Sequence, residues 1–506
     1  MKYVLGIDKG TSMIKSVIFD DTGRTVAVAR RRVDVLHPQP GWHEEDLKRT
    51  WELCIETIRE VLSTSQLQGV NIAAIGITGH MGGAVLVDAA NRPVRNAIGW
   101  PDERSQKHLL KLESEGTLDH LFQISGNGLM PGNTALLLGW LTDHEPNNAA
   151  RAVTFLCAKD YLRLRLTGVA ATDPSDVSFV PGDIDAREFS SEMMLTCGAA
   201  EWLDRLPTIV ASEQIAGHIL PEAAKLTGLL AGTPVVTGLG DGAAAALGIG
   251  AITTGSAFTV LGTSCLNSLV LDGPHRAPHG LGFLFAMPLG RYVRILPNTS
   301  GTMTMDWFLE RFGGPERPDG SWDFEAMDVA AGAVPPGAGG VLLLPYVNGA
   351  GVLAPFADPL ARGAFFGMSV HTTRDHLLRA VYEALCYSTR DCFAAMPQAP
   401  SSLKLSGGGA QSPFWGQLFA DVCGVPIEIP ESTESGALGV ALLAGVAVGV
   451  WPDLETAVER TSRISARYEP DSVQTKIYDG WFGLYQALRT TYREFSSERA
   501  ALMEPS

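Results

Sequence analysis

The sequence lacks several features that mark particular classes of protein. Its seven cysteines include no Cys-x-x-Cys pair, and their odd number and wide spacing do not match a zinc site. Lysine and arginine (39) are outnumbered by aspartate and glutamate (55), for a net charge of −16. This balance argues against a nucleic-acid partner, because phosphate neutralisation needs clustered basic residues. Scattered thiols are typical of buried, reduced cysteines in a cytoplasmic protein.

Long apolar segments are also missing. The longest compact uncharged run, residues 436–451 (GALGVALLAGVAVGVW), falls short of the roughly 20 residues that span a membrane. It consists mostly of small residues and predicts a buried core helix. A strand pattern begins almost directly after Met1, so no signal peptide is expected. We therefore expect a cytoplasmic protein with no membrane partner.

Neither GxxxxGK[ST] nor GxGxxG occurs, which disfavours a P-loop or Rossmann nucleotide site. Instead, residues 3–29 predict three strands joined by two tight turns, and the first turn is unusually polar. It carries Asp8, then Gly10, Thr11 and Ser12. Backbone amides and hydroxyls in such a turn can bind phosphate oxygens, and Asp8 can hold Mg²⁺. The alternative is an ordinary hairpin turn whose polar side chains satisfy backbone groups.

The same pattern restarts in the second half of the chain. Residues 256–273 predict a strand, a turn containing Gly262, Thr263 and Ser264, and another strand. Two such turns in one chain indicate duplication of one fold, with a boundary near residues 245–255. If the halves face one another, both turns can bind one nucleotide.

Two other glycine-rich turns follow predicted strands. In GLGDGA (238–243), Asp241 lies between a strand and a helix, where it serves either as a helix N-cap or as the proton acceptor in phosphoryl transfer. In LSGGGA (405–410), three glycines provide either a flat surface for a purine or ribose or close strand–helix packing. Later in the chain, Thr372 and Asp375 predict a capping box at the start of a helix.

Two loops in the first half fit a polyhydroxylated ligand. GHMGG (79–83) contains His80 and Met81, and GWPDERS (99–105) contains Trp100, Asp102 and Arg104. An indole provides an apolar wall, while the polar side chains provide hydrogen bonds. Each stretch is equally compatible with a surface loop.

Taken together and in order, these segments resemble the FGGY family of carbohydrate kinases. The most specific match is residues 363–383, GAFFGMSVHTTRDHLLRAVYE, which is similar to the C-terminal signature of that family. PGWHEED (40–46), KDYLRLRLTG (159–168) and TDPSD (172–176) match as well. The resemblance implies an α/β fold of two ribonuclease-H-like (actin-like ATPase) domains with an intervening cleft. We expect a sugar-binding domain at 1–250, an ATP-binding domain at 251–450 and a C-terminal helical extension at 451–506.

The resemblance also implies roles for individual residues, with ATP and Mg²⁺ as cofactors. Asp241 matches the catalytic base, which also contacts the sugar, and Asp8 matches the acidic residue near the metal. The remaining matches are the first phosphate motif (Thr11, Ser12, Lys15), the second phosphate motif (Gly262, Thr263), the adenosine motif (Gly408, Gly409, Ala410) and the substrate loops (His80, Met81, Trp100, Asp102).

The substrate is the least constrained feature. The layout is nearest to the xylulokinase branch, whose loop reads Gln-Met-His-Gly, whereas this chain has His80-Met81-Gly82-Gly83. The Arg-Glu pair typical of glycerol kinases is missing from this loop. The resemblance implies a pentulose resembling xylulose. A tetritol, a hexulose and a sugar-independent actin-like ATPase stay open as alternatives. A homodimer is expected only because dimers occur among related kinases.

Overall fold

A computed structural model describes residues 2–179 and 181–503. Its architecture consists of two large mixed sheets, each with seven strands. In the first sheet the order is Ile215–His218, Pro234–Val236, Ile72–Gly79, Tyr3–Lys9, Met13–Phe19 and Thr25–Arg32, and Leu239–Gly240 also pairs with Ile72–Gly79. In the second sheet the order is Phe283–Ala286, Tyr292–Asn298, Cys265–Leu271, Ala257–Leu261, Leu403–Ser406, Ile427–Pro430 and Ile464–Tyr468.

The two sheets repeat one topology. Each begins with an antiparallel meander, whose first strand then pairs in parallel with a strand much later in the sequence: Tyr3–Lys9 with Ile72–Gly79, and Ala257–Leu261 with Leu403–Ser406. A further parallel strand and an antiparallel edge strand complete each sheet. The predicted α/β fold with two ribonuclease-H-like halves is therefore confirmed, including the duplication around the two Gly-Thr-Ser turns.

Helices cover the sheets and fill the connections. In the first half they are Leu47–Ser65, Gln106–Ser114, Leu118–Ser125, Thr134–His144, Pro146–Arg151, Ala158–Thr167, Pro174–Phe179, Ser191–Thr196, Pro221–Thr227 and Asp241–Ile249. In the second half they are Thr302–Phe312, Phe324–Gly332, Arg374–Ala395, Pro413–Cys423, Ser435–Ala447, Leu454–Thr461 and Ser472–Met503. No helix in these described ranges combines the length and apolar character needed to cross a membrane.

Short strands pair outside the two sheets. They are Val35–Leu36 with Glu44–Glu45 and Ala97–Ile98, Val85–Val87 with Thr154–Leu156, Ala171–Thr172 with Thr208–Ile209, Gly182–Asp183 with Glu188–Phe189, and Leu342–Leu344 with Ala364–Phe366. Short 3₁₀ turns cover Ala200–Arg205, Ala338–Gly340 and Gly408–Gln411.

Two helices made largely of small residues join the halves. Helix Asp241–Ile249 packs against helix Ser435–Ala447, and both share one apolar cluster with residues of the two sheets. Their backbones touch because glycine occupies the crossing: a Cβ at Gly439 would lie 2.0 Å from the carbonyl oxygen of Ala244, and one at Gly248 would lie 1.9 Å from that of Ser435. We call this helix pair the joint. The uncharged run at 436–451 is thus a buried core helix, as predicted.

Elements beyond residue 250 pack against both halves of the molecule. Helix Ser435–Ala447 lies against strands Tyr3–Lys9 and Ile72–Gly79 of the first sheet. Residues 451–503 include Ile464–Tyr468, which is an edge strand of the second sheet, and helix Ser472–Met503, which packs on helix Pro413–Cys423. Residues 464–503 of the predicted C-terminal helical extension therefore pack on the second half, whereas Trp451 and Leu454 belong to the apolar cluster of the joint.

Candidate active site

A cavity of about 350 Å³ lies between the two halves, above the joint. It is lined by residues from both sheets, both joint helices and the loops that follow the first-half strands. The lining residues are Asp8, Thr11, His80, Met81, Trp100, Met130, Phe179, Asp241, Gly242, Ala245, Phe258, Val260, Leu266, Ser268, Phe283, Phe285, Ile295, Ser435 and Gly436. Six residues predicted for catalysis, metal, phosphate or sugar binding thus meet in one place.

Asp241 is the first residue of a joint helix, and Gly240 occupies the N-cap position before it. The Asp241 side chain therefore does not serve as the N-cap. One carboxylate oxygen accepts a 2.8 Å hydrogen bond from the Gly242 amide. The side chain is exposed to the cavity, but protein encloses it elsewhere; this enclosure and the negative charge of Asp8 raise the pKa of Asp241 to about 7. A carboxyl with such a pKa can accept a proton near neutral pH.

Asp8 is held at the end of the first strand, opposite Lys15 in the antiparallel pairing. The Lys15 ammonium is 4.0 Å from an Asp8 oxygen and 3.2 Å from a carboxylate oxygen of the buried Glu434. Arg30 pairs with the other oxygen of Glu434. Burial outweighs the attraction of Lys15, and Glu434 adds repulsion, so the pKa of Asp8 is raised. The nearby ammonium of Lys15 therefore only partly neutralises the negative charge of the Asp8 carboxylate.

The donor set beside Asp8 fits Mg²⁺. Asp8 and Asp241 offer carboxylate oxygens and Thr11 a hydroxyl, and oxygen is the donor that this hard cation prefers. The raised pKa of both carboxyls indicates that a positive charge placed between them would be stabilised. These residues would hold the metal together with the phosphates of a nucleotide.

The two phosphate turns have the expected backbone form. Each lies in an antiparallel hairpin, one between Tyr3–Lys9 and Met13–Phe19, the other between Ala257–Leu261 and Cys265–Leu271. Thr11 lines the cavity, while Ser12 and Thr263 are exposed. The Gly262 turn is supported from behind, because its carbonyl accepts a 2.7 Å hydrogen bond from the Thr302 amide at the start of a helix. Thr11 thus faces the cavity, whereas the Gly262 amide donates a 3.1 Å hydrogen bond to the Ser264 carbonyl within its own turn.

Each of the two sugar loops contacts a turn that carries a predicted site residue. Trp100 Nε1 donates a 2.8 Å hydrogen bond to Thr11 Oγ1. The buried Met81 thioether packs on Gly240, where a Cβ would lie 2.5 Å from the sulfur. The loops therefore place an indole and a thioether beside Asp241.

His80 lines the same cavity but is almost fully buried. Its Nε2 lies 3.6 Å from Glu45, which in turn pairs with the buried Lys9 at 2.9 Å. Burial and the charge of Lys9 lower the pKa of His80, so its imidazole is neutral near pH 7. Burial alone would raise the pKa of Glu45, but the neighbouring His80 and the charge of Lys9 lower it to about 2. A neutral imidazole suits hydrogen bonding to a sugar hydroxyl.

Asp102 is not among the residues that line the cavity. It is 1% exposed, and both of its oxygens bind Arg104, at 2.8 and 2.9 Å, while one also accepts the His43 amide. Arg104 in turn stacks 3.9 Å above the Trp42 ring. These bonds leave Asp102 supporting the loop that carries Trp100, and direct contact with a substrate stays a prediction.

A second cavity, of about 710 Å³, lies on the second half next to the three glycines. Gly408 and Gly409 line it together with Thr302, Asp328, Ser412 and other residues. A Cβ at Gly408 would meet nothing within 4 Å, whereas one at Gly409 would lie 2.5 Å from Leu261. Gly409 is thus required by packing, and Gly408 leaves open surface suited to a flat base. Ala410 is 3% exposed and contributes only backbone.

The sequence analysis did not predict the four phenylalanines that line the first cavity, and three of them form one cluster. Phe179 meets Phe283 and Phe285 edge to face, with ring centroids 5.4 and 5.9 Å apart, and the latter two rings stack on each other. Phe179 also fills the space beside Gly82, where a Cβ would lie 2.5 Å from its ring. The alternation Phe283-Leu284-Phe285 places both rings on one face of a strand, a signal present in the sequence. Contact with Phe179 follows only from tertiary structure.

Known proteins show the same organisation over the whole chain. The profile of the N-terminal domain of the FGGY family of carbohydrate kinases matches residues 3–248, and that of the C-terminal domain matches residues 257–448. A xylulose kinase of Escherichia coli is 33% identical over 99% of each chain. An erythritol kinase of Brucella abortus is 31% identical, over 96% of this chain and 95% of its own.

A solved structure agrees with the sequence relatives. The crystal structure of xylulose kinase from Rhodospirillum rubrum superimposes with a TM-score of 0.89 at 26% identity, covering 98% of this chain and 100% of that one. Both domain profiles and full-length relatives above 30% identity thus agree with the geometry of the cleft. The chain belongs to the FGGY family of carbohydrate kinases.

Proposed function

We propose that this kinase transfers the γ-phosphate of ATP to a hydroxyl of a small, uncharged sugar or polyol, with a pentulose such as xylulose as the first candidate. The observation that carries the proposal is the position of Asp241. Its carboxyl faces a cavity lined by Thr11 of the first phosphate turn and by His80, Met81 and Trp100 of the sugar loops, and its pKa is raised to about 7. The names of the relatives support the same reaction class.

In the proposed reaction the acceptor hydroxyl lies beside Asp241, between Trp100 and His80. Its oxygen attacks the γ-phosphorus, the bond from that phosphorus to the bridging oxygen of ADP breaks, and the hydroxyl proton passes to the Asp241 carboxylate. Mg²⁺ bound at Asp8 would neutralise phosphate charge. Closure of the halves about the joint would exclude water, which otherwise competes as acceptor. The Gly408 surface and its cavity are the proposed adenosine site.

The lining of the cleft argues for an uncharged acceptor. No lysine or arginine is among its described lining residues, and its two carboxyls would repel a carboxylate substrate. His80 is neutral, and Phe179 occupies the place next to Gly82 where the xylulokinase pattern has a histidine side chain. An aromatic wall favours the C–H face of a small acceptor. This observation keeps a tetritol such as erythritol as a second candidate beside the pentulose.

Two further proposals concern the cellular compartment and the oligomeric state. The six buried cysteines of the described chain form no disulfide, which supports the cytoplasm as compartment. The homodimer expected from the resemblance stays a prediction, and light scattering on the purified chain would test it.

The first experiment measures ADP release from ATP·Mg²⁺ with xylulose enantiomers, ribulose, erythritol, glycerol and gluconate, in parallel with Asp241→Asn. We expect strong stimulation by one neutral compound, little by gluconate, and a loss of about 10²–10⁴ in kcat in the variant. An Asp241→Asn enzyme with near-normal kcat would refute the assignment of the base. ATP turnover independent of every acceptor would instead favour an actin-like ATPase.

A further inference from the structure

A fully buried cluster of charges lies beneath the active site in the first half. The Lys159 ammonium, 0% exposed, is 2.7 Å from Asp160, 2.9 Å from Asp173 and 3.0 Å from Asp176. Arg163 pairs with Asp160 at 2.7 Å. The cluster joins two segments, KDYLRLRLTG and TDPSD, that the proposed reaction does not use. Burying this many charges is costly, so stability alone does not account for the cluster.

The cluster is attached at two points to the segment that leads into Asp241. Arg163 Nη1 donates a 2.7 Å hydrogen bond to the carbonyl oxygen of Thr237. The amide of Gly240 donates a 2.8 Å hydrogen bond to Ser175 Oγ. Gly240 is the N-cap of the joint helix that starts with Asp241, so these bonds fix the backbone immediately before the proposed base.

The partners of Ser175 determine which of its hydrogen bonds it donates and which it accepts. Its Oγ lies 2.7 Å from an oxygen of Asp173, which is an acceptor, so the hydroxyl proton points to Asp173. A lone pair of the same oxygen then faces the Gly240 amide. Lys159 contacts the other oxygen of Asp173 at 2.9 Å and so helps to orient that carboxylate. The Lys159–Asp173 ion pair is thereby connected to the Gly240 amide through the hydroxyl of Ser175.

A metal site at the same place is the competing interpretation. Cys157, Asp160 and Asp176 bring ligand atoms within 4.8 Å of one another. However, the ammonium of Lys159 already contacts both carboxylates and supplies the positive charge that a cation would bring. The contacts therefore favour a structural ion cluster over a metal centre.

We propose that Ser175, oriented by Asp173 and Lys159, is a positioning residue for Asp241: it fixes the start of the joint helix so that the base meets the acceptor hydroxyl. This inference rests on the proposed role of Asp241 as the base. A displacement of the base by about 1 Å can cost roughly 10²-fold in rate, which sets the scale of the expected effect.

The test compares two serines that donate to the same Asp173 oxygen. Ser175 Oγ also accepts the Gly240 amide, whereas Ser212 Oγ, at 2.9 Å from Asp173, has no contact with Gly240. Ser212→Ala therefore removes an equivalent buried bond without releasing the base. We expect Ser175→Ala to lower kcat about 10- to 100-fold, with the KM for ATP nearly unchanged, and Ser212→Ala to keep kcat within about threefold.

A double-mutant cycle separates positioning from general damage. If Ser175 acts through Asp241, Ser175→Ala adds little to the loss already present in Asp241→Asn. Equal kcat values for Ser175→Ala and Ser212→Ala, or full additivity with Asp241→Asn, would overturn the inference. If Asp241→Asn itself retains near-normal activity, the proposed function fails instead, so the two failures are distinguishable. Circular dichroism and melting temperature of each variant establish that it folds.

Discussion

Trp100 Nε1 donates a 2.8 Å hydrogen bond to Thr11 Oγ1, which directly connects a residue of the sugar loop to the first phosphate turn. The indole thus lines the cavity while it holds the hydroxyl of Thr11, which lines the same cavity. Binding of the two substrates is expected to be coupled through this contact, because a shift of either loop moves the other.

Trp100→Phe tests this contact. The ring wall is kept and one neutral hydrogen bond is lost, which is worth about 0.5–1.5 kcal/mol, so kcat/KM should fall by roughly three- to tenfold for ATP and for the acceptor alike. Steady-state kinetics with both substrates varied provide the measurement. The matched control is Trp202→Phe, which loses an equivalent 3.0 Å bond to Thr142 outside the cavity lining. A loss confined to the acceptor would show that the loops act separately.

The pH dependence of kcat/KM should follow the protonation of Asp241. Since the base must be deprotonated and its pKa is raised to about 7, kcat/KM for the acceptor should fall about tenfold per pH unit below that value. Asp8→Asn removes a negative charge that raises this pKa, so the acidic limb should move to lower pH even though kcat decreases. Asp272→Asn, at an exposed position, serves as the control. A limb near pH 4 in the unmodified enzyme would contradict the raised pKa.

Met130→Arg should change the charge preference of the cleft. Met130 lines the cavity, which has no basic side chain among its described lining residues. A guanidinium there would attract a carboxylate, so activity toward gluconate relative to the best neutral acceptor should rise by about tenfold or more. Met130→Leu controls for altered packing. An unchanged ratio, in an arginine variant that folds, would show that charge does not select the acceptor.

Lys159→Met should be strongly destabilising. It removes the cation that contacts the fully buried Asp160, Asp173 and Asp176 and leaves only the Arg163–Asp160 pair among these groups, and removal of one partner from a buried ion pair typically costs about 3–5 kcal/mol. Lys111→Met is the control, because its 3.8 Å pair with Glu115 is exposed and surface pairs contribute about 0–1 kcal/mol. Urea unfolding followed by circular dichroism provides the comparison. Equal midpoints would show that the carboxyls compensate by binding protons.

Local patterns in the sequence predicted much of this molecule. The two polar hairpin turns, the strand before Asp241 and the glycine-rich surface at 407–409 are all encoded within a few residues, and all are found. The capping box was wrong by one residue: Thr373 and His376 form it, because the Thr372 hydroxyl is used by the Ser369 amide. Such competition between neighbouring hydroxyls is not resolved by spacing alone.

Contacts between distant segments could not be predicted in the same way. Asp102 has the residue type of a sugar ligand, but Arg104 and the His43 amide bind it, and the latter lies 59 positions away. Phe179 meets Phe283 only because the two halves approach each other at that edge. The Lys159 cluster likewise depends on two segments, 159–168 and 172–176, meeting under the cleft. Burial and partners of these groups are properties of the assembled fold.

The joint has a consequence for how this enzyme can change its substrate. At Gly439 and Gly248, where the helix backbones touch, one added methyl group would lie about 2 Å from a carbonyl oxygen, so only glycine fits at these two positions. The aromatic wall of Phe179, Phe283 and Phe285 belongs to other elements and packs through replaceable rings. Phe179 and Phe285 nevertheless share the apolar cluster of the joint. A smaller ring or aliphatic side chain in the wall should therefore reshape the cavity, whereas any side chain at Gly439 or Gly248 would separate the two helices.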